Sequence, residues 1–212
     1  MTRNLAAFAR FLRAVAFSQG AQLNTAEVAR ECSVERKTVA GYLEVLHDLL
    51  LARTLDPFTR RAKRRLVQHG KFYFFDAGVF RALRPKGPLD RPAEIDGAAL
   101  EGLVLQELIA TNDLYRLGYE VQFWRTATDH EVDFVLYGPR GLHAIEVKHT
   151  GVVRQGDLAG LRAFMADYPE ASGTLLFMGE RAEQHGEIAV RPVGEVLAGL
   201  GGWLGLAGSA DV

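Results

Sequence analysis

Two short apolar stretches carry acids where a buried strand has no room for an unpaired charge: His130-Glu-Val-Asp-Phe-Val-Leu-Tyr137 and Ala144-Ile-Glu-Val-Lys148. A period of two puts Glu131, Asp133, Val135 and Tyr137 on one face of the first stretch, and Ala144, Glu146 and Lys148 on one face of the second. The turn Gly138-Pro139-Arg140-Gly141 joins them as neighbouring antiparallel strands, which gathers Asp133, Glu146 and Lys148 into one cluster beside Phe134, Val135 and Ile145. Charges in such a place are costly unless they are paired or metal-bound. Two carboxylates offer hard oxygen ligands to Mg²⁺ or Mn²⁺ and leave positions for water and phosphate. Beside such an ion, Lys148 would orient the attacking water or offset developing negative charge. Glu101, on a preceding helix, shares a face with Val104, Leu105 and Leu108 and points toward the sheet as a further ligand or a brace. The structural alternative is a buried Asp133–Lys148 salt bridge with Glu146 hydrogen-bonded nearby.

The charge pattern divides the chain in two. Residues 1–90 hold 16 Lys/Arg against 8 Asp/Glu, whereas residues 91–212 hold 9 against 18, although the whole chain of 212 residues is nearly neutral at -1. The stretch Arg84-Pro-Lys-Gly-Pro-Leu-Asp-Arg-Pro92 disfavours regular structure, so the expected organisation is a first domain over 1–84, a linker over 85–96 and a second domain over 97–212.

The first domain reads as mostly helical. Apolar spacing predicts a helix over 4–18, Asn24 or Thr25 caps a second through Cys32, and Ser33 is a good N-cap for a third carrying Val39, Tyr42, Leu43 and Leu46. Strands are expected over 51–56, around 65–68 and over 71–75, and Asp76 is placed to cap a last short helix. Two helices joined by a short turn and followed by a hairpin have the order of a winged helix-turn-helix, with the exposed start of its second helix entering DNA. Those residues are Glu35, Arg36, Lys37 and Thr38, and the wing carries Arg60, Arg61, Lys63, Arg64 and Arg65, suited to phosphate contacts. The second domain reads as an α/β unit: a helix over 97–117, strands over 119–126, 131–137 and 142–149, a helix over 155–167, strands over 173–178 and 187–191, and a helix over 193–204.

Asp133, twelve intervening residues, then Glu146-Val147-Lys148 is similar to the D…(D/E)-x-K signature of the PD-(D/E)xK nuclease superfamily. The whole chain further resembles the C-terminal half of prokaryotic AAA-type ATPases. The matching motifs are Phe72-Tyr-Phe-Phe-Asp-Ala-Gly78, Leu100-Glu101, Phe123-Trp-Arg125, Glu131-Val-Asp-Phe134 and Ile145-Glu-Val-Lys148. The resemblance implies a winged helix followed by a restriction-endonuclease-like α/β domain, with DNA as partner. It implies Mg²⁺ or Mn²⁺ at Asp133 and Glu146, Lys148 as the catalytic cation and Glu101 as an auxiliary acid. It also implies an ATPase domain before residue 1 in a parent protein, so the chain is expected to be a truncated product or a fragment. The superfamily's Pro-Asp pair is absent, because Val132 precedes Asp133.

Other patterns narrow the field. No G-x-x-x-x-G-K-[ST] occurs, and Leu204 breaks a G-x-G-x-x-G over Gly199–Gly205, so no nucleotide cofactor is expected. A single cysteine, Cys32, the lack of a signal-peptide pattern beside Arg3, Arg10 and Arg13, and apolar runs too short for a membrane span point to the cytoplasm. His130, His143 and His149 lie on the face opposite the acids and read as packing or surface residues, as Trp124 does as core. Two readings remain beside the nuclease: a non-catalytic interaction module of an ATPase, and a winged-helix transcription regulator.

Overall fold

The computed structural model describes residues 5–205. They form two compact units, one of residues up to Asp56 together with His69–Leu103, the other of Pro57–Gln68 together with residues from Val104 onward. The fold is mixed α/β, a helical first unit with a small sheet and a second unit built on a six-stranded sheet.

In the first unit, α1 (Leu5–Val15) buries Ala7, Phe11, Ala14 and Val15 on one stripe. It packs with α2 (Thr25–Cys32) and α3 (Arg36–Asp48) around a shared core that includes Val28, Val39, Tyr42 and Leu46. The Tyr42 ring meets Phe8 edge-on at 5.1 Å. Asn24 caps α2 as its sequence predicts, its side chain accepting from the Ala26 and Glu27 amides. Ser33 does not cap α3. It closes α2 instead, in the left-handed conformation (φ 53°), its amide donating to Ala29 and Arg30 carbonyls, and Glu35 becomes the uncapped entry to α3. The helix expected over 4–18 ends at Val15 and continues as a 3-10 turn over Ala16–Ser18, while residue 4 and Arg3 lie outside the described residues.

Strands β1 (Ala21–Gln22), β2 (Ala52–Leu55) and β3 (Lys71–Phe74) form an antiparallel sheet in the order β1-β3-β2. Asp76 caps α4 (Ala77–Leu83), accepting from the Val79 amide at 2.7 Å. The expected linker is shorter than its prolines suggest: α5 (Pro92–Leu114) begins inside it, because a proline in the first helical turn sacrifices no hydrogen bond.

The second unit contains β4 (Glu120–Arg125), β5 (Glu131–Gly138) and β6 (Gly141–Lys148), then a 3-10 turn (Gln155–Leu158) and α6 (Ala159–Asp167). It continues with β7 (Ser172–Phe177), β8 (Glu183–His185), β9 (Ile188–Pro192), α7 (Val193–Ala198) and α8 (Leu200–Trp203). The sheet order is β4-β5-β6-β7-β9-β8, with β6, β7 and β9 parallel and the remaining pairs antiparallel. Helix α6 is the crossover between parallel β6 and β7 and covers the face bearing Val135, Ala144 and Leu175. Phe164 of α6 meets Trp124 edge-on at 5.4 Å, so Trp124 is core as its strand position predicts.

The basic stretch differs from expectation. The strand anticipated around 65–68 is only an isolated bridge, Leu66 to Thr126, and residues 57–68 belong to the second unit. Phe58 inserts into that unit's core, and its amide donates to the Phe123 carbonyl. Burial of one large aromatic stabilises by roughly 1.5–3 kcal/mol, which outweighs the weak local preference for a free hairpin.

Candidate functional site

The β5–β6 ladder pairs Phe134 with Ile145 and ends there. One residue further, Asp133 faces the Glu146 position from the neighbouring strand, on the side of the sheet that Val135 and Ala144 share. The Val147 amide, beyond the last ladder bond, donates to Asp133 Oδ2 at 2.9 Å, so the carboxylate stands in for the missing strand partner. Asp133 and Glu146 retain 7% and 6% of their surface, and charge at that depth requires compensation. Part of it comes from Lys148, whose Nζ lies 2.5 Å from Glu146 Oε1.

Burial draws the Lys148 pKa down, but the Glu146 charge and hydrogen bond, with the Asp133 and Asp157 carboxylates, carry it above the usual lysine value. Lys148 is therefore an ammonium at neutral pH. Asp157 is a third acid acting on it, one the strand pattern does not reveal, because it comes from the 3-10 turn before α6. There it fixes the turn by accepting from the Arg154 amide at 2.7 Å. Gly160 lets α6 close on β5: a Cβ at this position would overlap the Glu131 carbonyl oxygen.

Glu101 lies in the first unit, where its Oε1 accepts from Tyr73 Oη at 2.5 Å and pairs with Lys71 Nζ at 3.3 Å. Lys71 retains only 2% of its surface, so the pair is a buried ion pair that would leave a stranded charge if either partner were removed. Sequence reasoning missed Lys71 and Tyr73 because their alternation in Lys71–Phe75 reads equally well as packing. The one signal available was a lysine opening an otherwise aromatic strand.

The DNA-contact candidates divide. Arg36 and Lys37 are exposed on the first turn of α3, and Thr38 is half-buried. Of the basic stretch, Arg60 pairs with Glu120 at 2.8 Å, Arg64 pairs with Asp167 at 2.7 Å, and the Arg65 carbonyl accepts from the Ala127 amide. Arg60 and Arg64 are thus neutralised by acids of the negatively charged half rather than held out on a free basic turn. Arg61 and Lys63 are exposed and make no ion pair among the described residues.

His143 is bracketed by Tyr119 Oη at 3.0 Å and Ser172 Oγ at 2.7 Å, and burial pushes its pKa down. Cys32 is buried, which pushes its thiol pKa up. Among the described residues no helix is long and apolar enough to cross a membrane. Nor do three or more His, Cys, Asp or Glu side chains stand together as a metal-holding group there. The donor set at β5–β6 is thus two carboxylates. That set is too few for a structural zinc site but fits Mg²⁺, which is commonly held by one or two carboxylates with water and phosphate completing the shell.

Residues 1–90 match the domain of unknown function DUF8612, and residues 96–196 match the domain of unknown function DUF4143. The uncharacterized proteins Rv2008c of Mycobacterium tuberculosis and Mb2031c of Mycobacterium bovis are each 28% identical over 172 residues. That alignment covers 78% of this chain but only 37% of each relative. Among solved structures, protein VC1899 from Vibrio cholerae aligns over 95% of this chain and 56% of its own, with a TM-score of 0.37 and 15% identity. The chain therefore carries two domains of unknown function in tandem, DUF8612 followed by DUF4143.

Proposed function

We propose that the second unit is a restriction-endonuclease-like domain whose Asp133, Glu146 and Lys148 form a metal-assisted phosphodiester-cleaving site, and that the first unit is a winged helix that holds DNA. The observation that carries this reading is two buried carboxylates brought face to face from adjacent strands, with a protonated lysine two residues along. Asp133 and Glu146 would hold Mg²⁺ or Mn²⁺, which when bound supplies a more acidic water and polarises a phosphoryl oxygen. Lys148, being charged at neutral pH, acts as an electrostatic partner of the developing negative phosphorus centre rather than as a base. The Val147 amide holds Asp133 in place, and Glu146 and Lys148 orient one another. Within the first unit, Lys71 and Tyr73 hold the Glu101 carboxylate. Arg36 and Lys37, with Arg61 and Lys63, supply phosphate contacts.

A second reading, a non-catalytic module that engages a partner such as an ATPase domain, is favoured by the direct Glu146–Lys148 pair and by the structural use of Arg60 and Arg64. Cleavage assays on single-stranded, duplex and branched DNA with Mg²⁺ or Mn²⁺ separate the two. The nuclease reading expects metal-dependent products, abolished in Asp133→Asn and reduced by about 100-fold or more in Lys148→Met. Absence of cleavage on every substrate by folded wild type would leave the module reading in its place.

A further inference from the structure

Within the second unit, a cavity of about 460 Å³ has Phe58, Arg60, Arg61, Tyr137, Tyr168 and Glu170 among its lining residues. Its floor is an aromatic cluster: Phe58 is buried against Tyr137, Phe164 and Tyr168 at ring-centroid distances of 5.9, 5.9 and 5.3 Å. Its rim is fastened on both sides of Arg61. Tyr168 Oη donates to the Arg60 carbonyl at 2.9 Å, and Arg64 binds Asp167 at 2.7 Å. Between these anchors Arg61 is held at φ 50°, in the left-handed region that side-chain-bearing residues avoid, with its guanidinium in no ion pair among the described residues. The Arg60 guanidinium, held by Glu120 at 2.8 Å, lies 4.6 Å over the half-exposed Tyr137 ring, a cation–π pair that layers one flat group on another.

A planar stacking layer beside an unpaired guanidinium is complementary to a flat ring carrying one anionic group. We propose that this cavity binds a nucleoside monophosphate unit, its base stacking on the Arg60–Tyr137 layer and its phosphate held by Arg61. Glu170 on the lining repels additional negative charge, which selects one phosphate over a triphosphate. The unit comes either as a free nucleotide or as the end of a single strand. Tyr137 lies four residues along β5 from Asp133, about 13 Å at strand spacing. Binding here requires no metal, so the proposal goes beyond the cleavage reading; it shares Arg61 with the phosphate contacts proposed above, and the AMP titration in EDTA tests it apart from both cleavage and duplex binding.

Isothermal titration of the full chain in EDTA tests it, with AMP, ATP, inorganic phosphate and a 5′-phosphorylated tetradeoxyadenylate as ligands. The expected result is saturable binding of AMP or the oligonucleotide, with ATP and inorganic phosphate weaker. A tighter oligonucleotide identifies a strand end, and a tighter AMP identifies a free nucleotide. Arg61→Ala and Tyr137→Ala should each weaken binding about tenfold or more, and Tyr137→Phe should preserve it, because the stacking ring remains. If Tyr137→Ala fails to fold, Arg61→Ala on the solvent-exposed rim decides the question alone. The proposal is overturned if neither ligand saturates, if Arg61→Ala binds as tightly as wild type, or if inorganic phosphate binds as well as AMP.

Discussion

Lys148 shows how one side chain's environment sets its charge state. Burial acts against its ammonium, and the carboxylates of Glu146, Asp133 and Asp157 together outweigh that penalty. Because its folded pKa is raised, the stabilisation it contributes is complete below the unfolded value of 10.5 and is lost as pH rises through the folded pKa. Denaturant unfolding of wild type and Lys148→Met should therefore differ by a constant amount from pH 7 to about 9, and the difference should shrink only above about 10.5. A difference that shrinks below pH 9 would show the lysine titrating early. Asp133, Glu146 and Lys148 were legible because strand alternation is a strict period and charge breaks an apolar run visibly. Asp157, Lys71 and Tyr73 were not, since each meets its partner through tertiary approach rather than local spacing.

Among the elements, the clearest dependence is between α6 and β5. Gly160 is needed for close approach, not for a special backbone angle, since an added Cβ would strike the Glu131 carbonyl. Gly160→Ala should cost roughly 2 kcal/mol or more despite alanine's better helix propensity, read as a fall in unfolding midpoint. An unchanged midpoint would mean that α6 can slide outward freely. The Pro57–Gln68 segment gives the opposite case. Arg61 adopts a glycine-like φ, so Arg61→Gly should stabilise the fold by roughly 1 kcal/mol if the rim keeps its conformation, checked by the same unfolding measurement. Helix α5 and the strands β4 to β7 follow their apolar periodicity to within a few residues at most ends. Strand β8 was invisible to it, because Glu183-Gln-His185 is short and polar and depends on pairing with β9. Ser33 misled for a definite reason: serine suits an N-cap, but here the preceding helix needed a left-handed residue to end on.

For the molecule as a whole, the reversal of charge between the two halves was legible from composition, but its consequence was not. The basic stretch near residue 60 belongs to the positive half by sequence and to the negatively charged second unit by structure, where Glu120 and Asp167 take up Arg60 and Arg64. A strongly basic turn thus contributes fewer free cations than its count suggests, and on the proposed reading DNA contact would rest more on the α3 residues. If Arg36 and Lys37 contact phosphates, replacing both with alanine should reduce the slope of log K against log salt by about 2, and replacing Arg60 and Arg64 should change it little. Binding measured by fluorescence anisotropy at several salt concentrations distinguishes these outcomes.

The measurement that bears most directly on the central claim is calorimetric titration of Mn²⁺ into wild type, Glu146→Gln and Glu146→Ala, each with and without a short duplex. A two-carboxylate metal site predicts saturable binding by wild type, at least with DNA present, that disappears in both variants while their folds persist. Folded wild type that binds no Mn²⁺ under either condition, or binds it equally well after Glu146 is replaced, would contradict the assignment of Asp133 and Glu146 as metal ligands.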